Sequence, residues 1–254
     1  MVFFVTGAGG SGKTACMRYL RRLLPQVVLH DFDEVGGPRP AGTVWRQQST
    51  EYWLQQALVH QAEGHDTMIC GGALIGEILA CPSAPKVNGI SICLLDCADV
   101  VRIDRLRACG RRGAVQEMLN WAAWLRLHAV DPQWCPDFIQ RESAPEMQWR
   151  RWETWQRGDP RWQVWVLDTT TISPEQVAKQ VACWVHKQQA AHAHAKERQA
   201  TSRSNVYGEV CGESGSLESD SARHRISPTK AVPRLLRFLG RISRGDIRTF
   251  FELL

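Results

Sequence analysis

Short, continuous apolar runs alternate along the chain with stretches whose apolar residues repeat at helical spacing. Val2–Thr6, Gln26–His30, Thr67–Cys70, Ile90–Leu95 and Gln163–Leu167 read as five strands, each too uniformly apolar to have one face in water. Helices are predicted from Gly12 to about Leu24, over Gln47–Glu63 (Trp53, Leu54, Ala57, Leu58 and Gln61 in step), over Val100–Cys109, near Asn120–His128, and over Glu175–Lys187 behind the capping run Ser173-Pro174-Glu175. Strands alternating with helices describe an α/β three-layer sandwich around a five-stranded parallel sheet. Ligands of such folds sit at the carboxyl ends of the strands.

Gly7-Ala8-Gly9-Gly10-Ser11-Gly12-Lys13-Thr14 lies at the first of those ends and fits the pattern G-x-x-x-x-G-K-[ST]. Its glycines let successive backbone N–H groups turn inward around phosphate oxygens at a helix N-terminus. Lys13 adds a point charge for the β- and γ-phosphates, and the Thr14 hydroxyl is placed to ligate Mg²⁺. ATP with Mg²⁺ is the expected cofactor.

The other strand ends supply polar candidates: Asp31 and Asp33 after the second strand, Gly71-Gly72 after the third, Asp96 after the fourth, and Asp168-Thr169-Thr170 after the fifth. Asp31 and Asp33, two apart on an extended chain, point the same way. They suit a metal-bound water and a substrate hydroxyl, or they cap a turn. The basic run Arg102–Arg112, broken at Gly110, reads as a closing lid with Arg105 and Arg111 as catalytic candidates, or as a solvated helix face. Asp33 as proton acceptor, with Lys13, Mg²⁺ and an arginine offsetting charge, makes up the equipment of phosphoryl transfer.

These residues resemble the small P-loop kinases typified by shikimate kinase, gluconate kinase, chloramphenicol phosphotransferase and adenylate kinase, over about residues 1–187. The resemblance implies that Asp31 helps hold Mg²⁺ through water, Asp33 and Gly71-Gly72 face the acceptor, Arg105 to Arg112 form the lid, and Asp168-Thr169 touches adenine. The stretches His30–Glu34 and Ile78–Ala84 are also similar to uncharacterised bacterial ATP-binding proteins.

Residues 113–162 exceed a minimal lid and hold seven tryptophans: Trp121, Trp124, Trp134, Trp149, Trp152, Trp155 and Trp162. A helical insert is expected there, ending its helix at the turn Asp131-Pro132-Gln133-Trp134. Its rings pack a core or stack on an acceptor whose polar groups meet His128 or Asp131.

Charge narrows the function further. Lys and Arg number 31 against 26 Asp and Glu. Residues 188–254 hold 11 basic and 7 acidic residues, leaving 20 against 19 in the body, so nucleic acid is not an expected partner. Nine scattered cysteines with no C-x-x-C pair suit a reduced, cytoplasmic protein. The chain enters its first strand at once, without room for a signal peptide, and no apolar stretch approaches the ~20 residues of a membrane span. Residues 188–230 read as a flexible linker, in which His192 and His194 are too few to argue for metal. Residues 231–254 read as a basic amphipathic, weakly ordered tail.

The expectation is Mg-ATP-dependent phosphoryl transfer to a hydroxyl of a small-molecule acceptor. The alternative is a P-loop ATPase or nucleotide-binding regulatory protein without such an acceptor. Against a switch, the third strand ends in glycine where a Walker B acid would stand, and no N-K-x-D-like signature occurs.

Overall fold

The computed structural model describes residues 1–38, 42–110 and 115–208, with side chains up to residue 198. Five strands, β1 (Val2–Thr6), β2 (Val27–Asp31), β3 (Asp66–Cys70), β4 (Ile90–Asp96) and β5 (Val164–Asp168), form one sheet in the order β2-β3-β1-β4-β5. All four pairings are parallel. Register places Asp31 beside Cys70, Cys70 beside Val5, and Asp96 beside Asp168, so the strand ends named above share one edge of the sheet.

Alternation along the strands divides the core in two. Val2, Phe4, Ile69, Ile92 and Leu94 face α2 (Thr43–Ala62), α3 (Ile75–Ala80), α5 (Val115–His128) and the rest of the tryptophan-rich segment. Phe3, Val5, Met68, Cys70, Cys93 and Leu95 face α1 (Lys13–Leu23) and α7 (Pro174–Gly208). This is a three-layer α/β sandwich around a parallel sheet, as the sequence pattern predicts. Between β4 and the segment's first helix lies α4 (Asp99–Ala108), and a short α6 (Asp137–Gln140) follows α5.

Three helices depart from expectation. α2 begins at Thr43 rather than Gln47, because Trp45 is anchored there: its Nε1 donates to Gly36 O at 3.0 Å and its ring packs edge-on against Phe32. α3, absent from the hydrophobic pattern, carries Glu77, which is fully buried yet takes a bidentate bond from Arg46 Nε (2.8 Å) and Nη2 (2.7 Å). A helix this short has little periodicity to display.

α7 was expected to end at Lys187 and to give way to a linker over 188–230. It runs on to Gly208 instead, and the first compact unit of the chain extends to Val206. The extension is rich in helix-favouring Ala, Gln, Lys and Glu. It is also docked, Gln188 Oε1 accepting from Ser91 Oγ (3.3 Å) and Gln189 Nε2 donating to Asp66 Oδ2 (2.7 Å). The remainder of the expected linker and the tail 231–254 lie outside the described residues. Among the described residues no helix is long and apolar enough to cross a membrane.

The tryptophan-rich segment is a packed body. Trp152 is fully buried and its Nε1 donates to Gly76 O at 2.8 Å, while Trp162 Nε1 donates to His128 O at 3.0 Å. Trp124 stacks on His128 with centroids 4.4 Å apart. The buried amide of Gln47 joins this body to α2, donating to Ile139 O (2.8 Å) and accepting from Ala144 N (2.7 Å).

Candidate active site

The phosphate loop spans the turn from β1 into α1. Gly7 has φ +149°, and a side chain there would run into Leu95 O and the Ser11 side chain, so only glycine fits. Gly12 caps α1 with φ 99°, again left-handed. Above the loop lie Leu106 of α4 and Met118 of α5: a Cβ on Gly9 would sit 3.0 Å from Met118 Sδ and 3.4 Å from Leu106 Cδ2. Thr14 is exposed in the first turn of α1.

Lys13 folds back onto the loop, its Nζ donating to Gly7 O (2.5 Å) and Ala8 O (3.1 Å). Burial first, and then the Arg102 guanidinium, pull its pKa down to about 8, while Cys70, Asp33 and Asp31 act in the opposite direction. Both carboxylates therefore lie within electrostatic reach of the ammonium. An arriving phosphate would replace the two carbonyl contacts and favour the charged amine.

Asp31 and Asp33 sit at the start of a 3₁₀ turn, Phe32–Val35. The turn-capping reading of this pair is observed: Asp31 Oδ1 accepts from Asp33 N at 3.1 Å, and the Asp33 side chain is exposed. Between them the buried Phe32 occupies the space a side chain on Gly71 would need. Gly72 has open space where its Cβ would stand. Of the glycine pair, Gly71 is therefore committed to packing and Gly72 borders free volume.

Arg105 departs from its expected role as a free lid cation. Its Nη1 donates to Gly10 O (3.2 Å) and Thr169 Oγ1 (3.1 Å), and its Nη2 to Thr169 O (2.7 Å), so it ties the loop after β5 to the back of the phosphate loop. Thr169 completes this clasp from a buried position, its hydroxyl donating toward Ser11 O and Asp96 O, both at 2.9 Å. Asp168, exposed, accepts from Thr170 N at 2.8 Å. Arg111 lies outside the described residues.

Asp96 does not open onto the cleft either. Arg102 Nη2 donates to its Oδ1 (2.5 Å) and Arg126 Nε to its Oδ2 (2.5 Å). Arg102 is fully buried and sends Nη1 to Gly9 O at 2.7 Å. Sequence reasoning missed Arg102 and Arg126; the first was merged with a basic run, and nothing local marks the second. His128, expected as a possible acceptor contact, is buried among Trp124, Trp152 and Trp162. Burial drives its pKa down to about 3 against a weaker opposing effect of the Trp134 backbone, although among the described residues neither ring nitrogen has a partner of hydrogen-bonding geometry. Asp131 Oδ1 accepts from Gln133 N (2.9 Å) in the expected turn.

No family model and no curated protein sequence matches the chain. Solved structures similar to it in fold include a sugar kinase from Janibacter sp. HTCC2649 (16% identity, 73% of this chain and 94% of that one, TM-score 0.45). Another is the shikimate kinase from Acinetobacter baumannii in complex with shikimate (14% identity, 74% and 93%, TM-score 0.42). A third is the Mycobacterium tuberculosis APS kinase in complex with AMPPNP and APS (16% identity, 73% and 96%, TM-score 0.38).

Proposed function

We propose that this chain transfers the terminal phosphoryl group of ATP to a hydroxyl of a small molecule. The observation that carries this reading is the placement of Lys13, folded on the carbonyls of Gly7 and Ala8, within electrostatic reach of Asp33 and Asp31 across the same sheet edge. An anion-binding loop facing a carboxylate supplies both halves of the reaction: charge for the transferred group and a proton acceptor for the nucleophile.

The acceptor oxygen attacks the γ-phosphorus, its proton passes to a carboxylate oxygen of Asp33, and the bond to the bridging oxygen of ADP breaks. Lys13 exchanges its loop carbonyls for phosphate oxygens and follows the charge as it develops. The backbone amides of the loop hold the triphosphate in line. Gly72, with open space beside it, lets the acceptor approach the backbone. Arg111, next to Gly110 in the sequence, stays as the candidate lid cation. Thr14, exposed beside Lys13, and Asp31, whose Oδ2 is not used by the cap, fit Mg²⁺, an ion that keeps several waters and asks few protein ligands. Mg²⁺ when bound there offsets negative charge on the phosphates.

The test is ADP release from Mg-ATP with and without pools of hydroxylated metabolites, guided by a thermal-shift screen in the presence of AMPPNP. Acceptor-dependent release supports transfer. Turnover indifferent to every pool, or no uptake of Mg-ATP in calorimetry, overturns it.

A further inference from the structure

A phosphate loop has two sides. In a trans peptide the C=O of one residue and the N–H of the next point in opposite directions. Whatever holds the Gly9 carbonyl outward therefore aims the Gly10 N–H inward, toward the place a phosphate would take. Arg102 does the holding, through its Nη1 bond of 2.7 Å.

A fully buried guanidinium beside a lysine is expensive, and it persists only because a carboxylate faces it. Asp96 is that carboxylate, and it is shared. Arg126 takes its other oxygen at 2.5 Å, and also bonds Cys97 O (3.0 Å) and Asp99 Oδ1 (2.6 Å). Arg126 stands on α5, the helix whose Met118 lies against Gly9. One helix of the tryptophan-rich body thus reaches the same loop residue twice, by packing at one point and through Asp96 and Arg102 at another. Leucines would fill this volume at lower cost; only a fixed donor can orient a peptide.

We propose that Arg126 and Asp96 are positioning residues of the nucleotide site, acting through Arg102 to fix the Gly9 peptide, so that the tryptophan-rich body and the phosphate loop form one functional unit. This rests on the reading that the loop binds a triphosphate.

The experiment is calorimetric titration of the full chain with Mg-AMPPNP, accompanied by hydrogen exchange of the loop peptides without nucleotide. Arg126→Gln is expected to weaken binding about tenfold and to speed exchange in the loop, because its loss frees Asp96 to turn. Asp96→Asn is expected to weaken it by at least as much, and the double variant to be no worse than Asp96→Asn alone, as residues acting in series require. Arg151→Gln is the control: Arg151 ties the same body to the carbonyls of Leu79 and Cys81, far from the loop in the hydrogen-bond network. It should lower thermal stability and leave both readouts unchanged. Arg126 is partly exposed, so its variant keeps the test open even where Asp96→Asn fails to fold. Wild-type protein that takes up no nucleotide overturns the triphosphate reading and this one with it. Wild-type binding with Arg126→Gln within about twofold of it, or with Arg151→Gln equally impaired, overturns the positioning role alone.

Discussion

The phosphate loop and the tryptophan-rich body meet opposite demands. Around Gly7, Gly9 and Gly12 the chain excludes side chains so that backbone donors stay open to a ligand; around Trp152 and Trp162 it fills space with the largest rings available and pairs their N–H groups internally. On the proposed function, the first region gives up packing for binding. The second gives up access for cohesion. Away from the Arg126–Asp96–Arg102 connection, substitutions should therefore separate them: loop changes should remove activity from a folded protein, and changes among the packed rings should remove stability first.

The sharpest test of that separation is Lys13→Met, which should lower acceptor-dependent turnover by about 10³-fold or more with the melting temperature nearly unchanged, read by coupled assay and calorimetry. Its mirror image is Trp152→Ala, which opens a void beneath Gly76 and should cost roughly 3–5 kcal/mol of stability in denaturant titration. A smaller effect on the ligand side comes from Asp33→Asn, expected to reduce kcat about 10²-fold while Mg-AMPPNP binds within about twofold of wild type.

The smallest effect, taken per pH unit, is a dependence of stability on acidity confined to the packed body. His128 has its pKa lowered to about 3 by burial from an ordinary 6.5. Between those values the unfolded chain takes up a proton that the folded chain refuses, so stability is full above about pH 6.5 and falls as the pH drops toward 3. The slope contributed should approach but not exceed about 1.4 kcal/mol per pH unit. His128→Leu should flatten it, measured by denaturant midpoints across pH 4 to 7; an unchanged slope in the variant would place the acid sensitivity elsewhere.

How far each region could be read from sequence follows from the distance over which its interactions act. The five strands and α1 were legible because apolar runs and glycine offsets are local, and the alignment of Asp31, Cys70, Val5 and Asp96 on one edge follows from a parallel sheet. The clasp behind the loop was not legible. Arg102 meets Gly9 across 93 positions, and Thr169 meets Ser11 across 158. Arg105 stands out in the sequence as a lid cation, yet its direction, toward Gly10 O and Thr169, depends on a loop at the far end of the sheet. The extension of α7 past Lys187 hid for another reason: a polar helix that docks by Gln188 and Gln189 has no apolar stripe to announce it.

Phe32 seated against Gly71 joins the segment bearing the two carboxylates to the segment that opens beside Gly72. Neither can be displaced alone without a collision or a gap. On the proposed function, the proton acceptor and the wall next to it would shift together, and a molecule that pushed Gly72 aside would carry Asp33 with it. Discrimination among acceptors would then be a matter of alignment: one too bulky could still be held, but where its oxygen has lost its base.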